Sequence, residues 1–142
     1  MVGDINSLVS RAAIERCSGF YDVVIDDGSH RSSDVIKTFA QYFPLLWDGG
    51  IYFVGDLHWS CWSEFEGGLF LRSSAVYFLK IIIDIININD WGDDGAQGLL
   101  ENFSKIHGVK FCLSDLSGIH SIEFFYSMCV IRRAPESANI LG

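Results

Sequence analysis

Two short apolar runs, each followed at once by aspartate and glycine, stand out in the first half of the chain. Residues 23–25 precede Asp26-Asp27-Gly28, and residues 51–54 precede Gly55-Asp56. Runs of this kind are typical of strands that are buried on both faces and then emerge into a polar loop. The pattern therefore predicts two central strands, each ending in acidic residues.

The segment between these runs has apolar residues at helical spacing, namely Val35, Ile36, Phe39, Tyr42 and Phe43. Ser32 or Ser33 can cap the start of this helix, and Pro44 with residues 48–50 marks its end and a tight turn. Strand, helix and strand in this order predict a right-handed βαβ unit with parallel strands. Both acidic loops then leave the carboxyl edge of the sheet, where open parallel sheets bind ligands.

The remaining pattern predicts elements on both sides of this unit. Residues 1–4 look like the end of a strand, and Asn6 or Ser7 can cap a helix that runs to Cys17. Residues 57–70 predict a long loop above the sheet edge, of the kind that shapes a substrate pocket.

The second half of the chain predicts helices and then an antiparallel pair. Ser73 or Ser74 can start a strongly apolar helix that ends within residues 87–91, with a turn at residues 92–95 and a further helix over residues 96–107. Strands are predicted at residues 109–113 and 121–132, with a turn at residues 116–118 short enough for a hairpin.

Length and composition favour one α/β domain over residues 1–134, with a loose tail at residues 135–142. Ten basic and 18 acidic residues give a formal charge of −8, which argues against nucleic acid or an anionic membrane as the partner. The apolar residues 75–88 include Lys80 and Asp84 and fall short of the ~20 residues that a membrane span needs. Four cysteines without a CxxC pair predict free, buried thiols and a cytoplasmic location.

The motifs FYDVVIDDGSH, DGGIYFVGDLHWSCW and HSIEFFYSMCVIRR together resemble the C-terminal half of class I S-adenosylmethionine-dependent methyltransferases. The subgroup that they resemble is the macrocin/mycinamicin sugar O-methyltransferase type. In that family the sheet order is 3-2-1-4-5-7-6. The resemblance implies that this chain supplies strands 4, 5, 6 and 7 of a Rossmann-like sheet, with parallel strands and an antiparallel edge pair.

The resemblance also implies an activity and its residues. It assigns metal-binding carboxylates to Asp27 and Asp56 and a general base to His30, which implies a Mg²⁺-assisted methyl transfer from S-adenosylmethionine to a sugar or glycoside hydroxyl. The alternative is that these residues have only a structural role, in which the aspartates end a strand and His30 packs at the start of a helix.

The cofactor contacts implied by the resemblance are Asp26, Gly28 and Ser29, with Asp4 in the loop near the adenine. The chain departs from the family in two ways. Gly55 stands where the family usually has a glutamate before the second aspartate, and no glycine-rich GxGxxG-like run occurs in the sequence.

The loop after the second strand carries candidate substrate contacts. His58, Trp59 and Trp62 can line a sugar pocket because aromatic faces stack on the apolar faces of sugar rings, or they can belong to an ordinary amphipathic loop. Glu64 and Glu66 can replace the carboxylate missing at Gly55, or they can be solvated acidic residues.

Three functions remain open at this point. The chain can be a methyltransferase completed by another chain or a second copy, a non-catalytic remnant, or an acidic module that dimerises through the isoleucine-rich helix over residues 75–88. The strand at residues 23–25 separates them, because an apolar parallel strand left at a sheet edge is a predicted site of dimerisation or aggregation.

Overall fold

The structure is a computed structural model that describes residues 4–17, 19–91 and 96–140. Its four strands and five helices are β1 (Tyr21–Asp26), β2 (Leu46–Val54), β3 (Ile119–Phe125), β4 (Met128–Arg133), α1 (Leu8–Cys17), α2 (Ser32–Tyr42), α3 (Ala75–Ile85), α4 (Ala96–His107) and α5 (Leu113–Leu116). The strand end predicted at residues 1–4 falls mostly outside the described residues, and the turn predicted at residues 92–95 lies wholly outside them.

The four strands form one mixed sheet in the order β1-β2-β4-β3. β1 pairs with β2 in parallel, with Val23 opposite Ile51 and Asp26 opposite Val54, so the predicted βαβ unit is correct. β4 is antiparallel to both β2 and β3, so β1, β2 and β3 all run the same way. This is the order 4-5-7-6 expected from the resemblance, and the predicted α/β fold class is confirmed.

The core lies on one face of the sheet. Tyr52 on β2 and Phe39 on α2 are fully buried, and their rings meet edge-on at 5.2 Å. Phe78 on α3 packs against Phe39 at 5.4 Å and against Phe103 on α4 at 5.2 Å. Such edge-to-face contacts add to the burial of large apolar area, so α2, α3 and α4 form one layer over the sheet.

The other face of the sheet is largely uncovered by the described residues, so the prediction that the strand over residues 23–25 is buried on both faces is wrong. Val23 and Ile25 on β1 are 52% and 67% exposed, and Phe125 and Met128 at the β3–β4 turn are 53% and 37% exposed. We call these four residues the open face. Since β1 is also an edge strand, its outer backbone groups have no partner strand in the described part of the chain.

Of the two strands predicted near the carboxyl end, the first is wrong and the second is divided into two. Residues 109–112 are irregular and lead into α5, because Phe111 stacks on Phe78 at 5.4 Å and buries its apolar surface without strand pairing. The single strand predicted at residues 121–132 is the hairpin of β3 and β4, whose turn contains Ser127 at a φ of 59°. The turn predicted at residues 116–118 instead leads from α5 into β3.

Smaller differences concern turns and the tail. The tight turn predicted at residues 48–50 lies inside β2, where the pairing with β1 shifts and Gly49 takes a φ of 89°. α3 ends at Ile85, before the predicted residues 87–91. The segment predicted as a loose tail contains a 3₁₀ turn, and Asn139 donates hydrogen bonds to the carbonyl oxygens of Ser117 and Ile119.

The cysteines are free, as predicted, but mostly not buried. Only Cys129 is buried, while Cys17, Cys61 and Cys112 are exposed. The apolar neighbours of these three in the sequence therefore do not predict their burial. Among the described residues, no helix combines the length and the apolar character that crossing a membrane requires.

Candidate functional site

The candidate site lies where β1 and β2 end side by side. Asp26 ends β1 opposite Val54, and the Gly55 amide donates a hydrogen bond of 2.9 Å to the Asp26 carbonyl oxygen. Because this bond continues the ladder past the last strand residues, Asp27 and Asp56 leave the sheet next to each other at its carboxyl edge.

Asp27, His30 and Asp56 come together at this edge. Each offers one ligand atom, and the three atoms lie within 4.8 Å of one another. His30 Nε2 is 3.8 Å from Asp56 Oδ2, and the Asp56 side chain is about half exposed. We call these three residues the carboxylate–imidazole cluster. It is the arrangement that the sequence predicts, and among the described residues it has the donors and the spacing of a cation site.

The backbone at the cluster is held in an uncommon conformation. His30 and Asp56 have φ values of 59° and 52°, in the left-handed region. For a residue other than glycine, such a conformation costs on the order of 1–3 kcal/mol and persists only where the surrounding structure holds it. The two side chains are therefore aimed by their loops rather than by regular helix or strand geometry.

Gly55 leaves room for the Asp27 carboxylate. A Cβ atom at Gly55 would lie 2.8 Å from Asp27 Oδ1. A glutamate at this position, as is usual in the family that the sequence resembles, would therefore require the Asp27 carboxylate to turn away. The observed position of the Asp27 carboxylate therefore depends on the absence of a side chain at Gly55.

A cavity of about 390 Å³ opens beside the cluster. Its lining includes all four residues predicted to contact the cofactor, together with His30, namely Asp4, Asp26, Gly28, Ser29 and His30. Burial raises the pKa of Asp26 to about 6, although hydrogen bonds from the Tyr52 hydroxyl and the Gly28 amide act in the opposite direction. The Tyr52 hydroxyl lies 3.4 Å from Asp26 Oδ2.

The aromatic residues of the loop after β2 lie close to the cluster and outside the lining of this cavity. The Trp59 ring is nearly parallel to the His30 ring at 6.3 Å and contacts Trp62 at 4.6 Å. His58 Nδ1 is 2.6 Å from Ser127 Oγ and 3.9 Å from Asp56 Oδ1. Trp59 is thus packed within the loop, while Trp62 is half exposed and His58 is exposed beside Asp56.

Glu66 is a residue whose position the sequence reasoning missed. Its carboxylate accepts hydrogen bonds from Arg31 Nη2 at 2.8 Å and from the Ser33 amide at 2.9 Å. Partial burial would raise the pKa of Glu66, but the bonds from Ser33 and Arg31 outweigh it and lower the pKa to about 2. Glu66 therefore neither replaces the missing ligand nor stands free in solvent.

This contact also corrects the predicted start of α2. The helix begins after Arg31 without a side-chain cap of its own, and Ser32 Oγ instead accepts a hydrogen bond from the Ala75 amide at the start of α3. Glu66 takes the capping role from 33 residues away in sequence. No local motif signals a cap that comes from so distant a residue, whereas Glu64 is exposed, as expected for a solvated loop residue.

Sequence comparison relates the chain to antibiotic sugar O-methyltransferases, while no family model matches it. It is 39% identical over 85 residues to the 8-demethyl-8-alpha-L-rhamnosyl tetracenomycin-C 2'-O-methyltransferase of Streptomyces olivaceus, covering 59% of this chain and 22% of that protein. It is 37% identical over 100 residues to the demethylmacrocin O-methyltransferase of Streptomyces fradiae, covering 68% and 25%. The mycinamicin VI 2''-O-methyltransferase of Micromonospora griseorubida is 34% identical over 95 residues, covering 65% and 24%.

Structural comparison shows that the fold of the chain is similar to part of a solved methyltransferase. The MycE methyltransferase of the mycinamycin biosynthetic pathway, solved in complex with Mg, SAH and mycinamycin VI, matches with a TM-score of 0.75 at 23% identity. The match covers 96% of this chain and 32% of that one. A second MycE structure, with Mg and SAH, matches with a TM-score of 0.76.

The chain spans about a quarter of the length of these curated relatives and about a third of the solved chains. Within that part, the sequence identity and the similarity of fold both relate the chain to sugar O-methyltransferases. The chain is therefore related in sequence and in fold to a part of the sugar O-methyltransferases of the macrocin/mycinamicin type.

Proposed function

We propose that the chain forms the acceptor-activating part of an S-adenosylmethionine-dependent O-methyltransferase that acts on a sugar or glycoside hydroxyl. One observation carries this proposal: the carboxylate–imidazole cluster lies at the carboxyl edge of the sheet, next to the cavity lined by Asp4, Asp26, Gly28 and Ser29. A side chain that can accept a proton, His30, therefore lies next to a cavity that can hold the cofactor.

The cluster fits Mg²⁺ through its two carboxylates. Mg²⁺ is commonly bound by one or two carboxylates and keeps several waters, so Asp27 and Asp56 can hold it without the glutamate missing at Gly55. When bound there, the cation would lower the pKa of an acceptor hydroxyl that it contacts. The MycE structures contain Mg, which supports this choice of cation.

His30 has the role of proton acceptor in this proposal. Its Nε2 takes the proton of the acceptor hydroxyl as the oxygen takes the methyl group, which is general base catalysis. Asp56 Oδ2 lies 3.8 Å from the nitrogen that receives the proton. The Trp59 ring lies nearly parallel to the His30 ring at a centroid distance of 6.3 Å.

The remaining residues divide between the cofactor and the acceptor. Asp26 presents a buried carboxylate to the cavity, and Gly28 and Ser29 contribute backbone groups and a hydroxyl. The exposed face of Trp62 and the His58 ring flank the cluster on the opposite side, where a sugar ring can stack. This division keeps the two substrates on either side of His30.

We also propose that a complementing polypeptide completes the cofactor site by pairing with β1. Two observations support it: β1 is an edge strand in the described part of the chain, and the open face beside it is apolar. α3 is less suited as a partner surface, because Phe78, Leu79 and Ile82 are buried in the core. Free cysteines support a reducing, cytoplasmic location.

The test is calorimetry and a methyl-transfer assay on the purified chain. We expect S-adenosylhomocysteine to bind the isolated chain weakly or not at all, and micromolar binding by a monomer would contradict the need for a complementing polypeptide. Where turnover of a rhamnoside or macrolide glycoside is found with Mg²⁺, His30→Ala should abolish it. The matched control is His120→Ala, which replaces an exposed histidine on β3, and full turnover by His30→Ala would remove His30 from the mechanism.

A further inference from the structure

The carboxylate–imidazole cluster offers an imidazole nitrogen in addition to the two carboxylates that can hold Mg²⁺. Mg²⁺ is a hard cation that takes oxygen ligands, whereas Zn²⁺ and related borderline cations also bind imidazole nitrogen. In the described residues the cluster offers two carboxylate oxygens and one imidazole nitrogen. Three protein ligands with an open fourth position are typical of a zinc site that binds a further molecule.

We propose that Asp27, His30 and Asp56 together bind a borderline divalent cation of the zinc type, with His30 Nε2 as the third ligand. This inference rests on the site of the proposed function and adds a consequence to it. A cation bound in this way occupies the nitrogen that would otherwise accept the proton. Zn²⁺ bound in this way therefore prevents His30 from acting as a base, whereas Mg²⁺ bound by the two carboxylates leaves His30 free. The two cations thus have opposite effects on methyl transfer.

The distances suit a shared cation. Zn–N and Zn–O bonds are about 2.0–2.2 Å, so two ligand atoms on one tetrahedral ion lie about 3.4 Å apart. His30 Nε2 and Asp56 Oδ2 are 3.8 Å apart, which exceeds this distance by a few tenths of an ångström. The widest separation in the cluster is at most 4.8 Å, and rotation of the exposed aspartate side chains can close it.

Gly55 determines which donors are available. With no side chain at Gly55, the Asp27 carboxylate can lie only 2.8 Å from the position that a Cβ atom would take. Because residue 55 is glycine, it provides no third carboxylate as a ligand for the cation. The imidazole of His30 is then the remaining donor of the cluster, and this favours the softer cation.

The experiment measures cation binding to the untagged chain, with Zn²⁺ by calorimetry and Co²⁺ as a coloured substitute. We expect His30→Ala to weaken Zn²⁺ and Co²⁺ binding by about 10-fold or more, because even outer partners of metal ligands cost about 10–100-fold when removed. Mg²⁺ binding should change little. Gly55→Ala should weaken all three cations by displacing the Asp27 carboxylate, and His120→Ala should weaken none.

Two results would overturn the inference. One is Zn²⁺ affinity that is the same in His30→Ala as in the unmodified chain. The other is a thiolate-to-cobalt absorption band, which would assign the ion to an exposed cysteine such as Cys61. Methyl transfer is not measured in this experiment, so an inactive chain that still binds Zn²⁺ through His30 contradicts only the proposed function.

Discussion

Asp26 is the residue at which the needs of the site and of the fold conflict most clearly. Asp26 is the last residue of β1 and lines the cavity. Burial raises its pKa to about 6 from a usual value of 3.8. Between these two values the folded chain holds a proton that the unfolded chain has lost. The free energy of unfolding therefore falls as the pH rises through this window, and above pH 6 the charged carboxylate destabilises the fold.

We predict that Asp26→Asn stabilises the chain at pH 7.5 and changes it little at pH 4. An asparagine keeps an acceptor for the Tyr52 hydroxyl but removes the buried charge. A shift of about 2 pKa units corresponds to an upper value on the order of 3 kcal/mol. Urea unfolding at the two pH values measures the difference. Equal stabilisation at both would show that the buried charge is not the cause.

At the residue scale, the sequence predicts which side chains meet but not how the backbone aims them. The meeting of Asp27 and Asp56 follows from two adjacent parallel strands, each ending in aspartate. The left-handed φ of His30, Asp56 and Glu66 could not be predicted from residue type, because histidine and aspartate are enriched in this region but still rarely adopt it, and glutamate is not enriched. Such conformations depend on contacts with the rest of the fold, which a local pattern does not contain.

At the scale of elements, the loop after β2 is joined to α2 by one carboxylate. Glu66 binds both Arg31 and the Ser33 amide, so it caps α2 and fixes the far end of the loop that carries His58, Trp59 and Trp62. Gly67 allows this close approach, because a Cβ atom there would clash with the Ser60 backbone. His30 directly precedes Arg31, and Asp56 directly precedes this loop, so the contact joins the two segments that carry them.

We predict that Glu66→Ala lowers the free energy of unfolding at pH 7 by about 1 kcal/mol, the usual cost of losing a helix cap. Glu66→Gln should cost less, because its amide oxygen can still accept the Ser33 hydrogen bond. The folded-state pKa of Glu66, about 2, lies below its usual 4.5, so its contribution is complete above pH 4.5 and disappears as the pH falls through 2. Urea unfolding at pH 7 and pH 3 should show a smaller loss at pH 3, and an equal loss at both would contradict a charged cap.

The elements that the sequence predicts well are those with a local signal. β1, α2 and β2 follow from apolar runs that end in polar residues, and the start of α3 follows from Ser74, whose hydroxyl accepts the Tyr77 amide hydrogen bond. The sequence predicts one strand where the structure has the hairpin of β3 and β4, because the turn at Tyr126 and Ser127 contains no glycine or asparagine. Residues 109–112 have a strand-like composition, but their partner is the Phe78 ring rather than a strand.

At the scale of the whole molecule, the sheet is covered on one side only. Helices α2, α3 and α4 bury Tyr52 and Ile131, while the open face exposes Val23, Ile25, Phe125 and Met128. An apolar face of this kind next to an unpaired parallel edge is a surface on which a further strand or a second copy can dock. In the absence of a complementing polypeptide, two copies of the chain are the available partners for each other.

We predict that the purified chain self-associates and that Ile25→Lys shifts it towards the monomer. Ile25 is 67% exposed on β1, so the substitution leaves the core intact while placing a charge on the docking surface. Burying one isoleucine contributes about 1.5–3 kcal/mol, so the dissociation constant should rise by roughly 10- to 150-fold. Size-exclusion chromatography with light scattering over a range of concentrations measures this shift. Ile106→Lys is the matched control, because Ile106 is 52% exposed on α4, a helix of the core-side layer. A chain that is monomeric at every concentration, or two lysine variants that behave alike, would mean that the open face does not drive association.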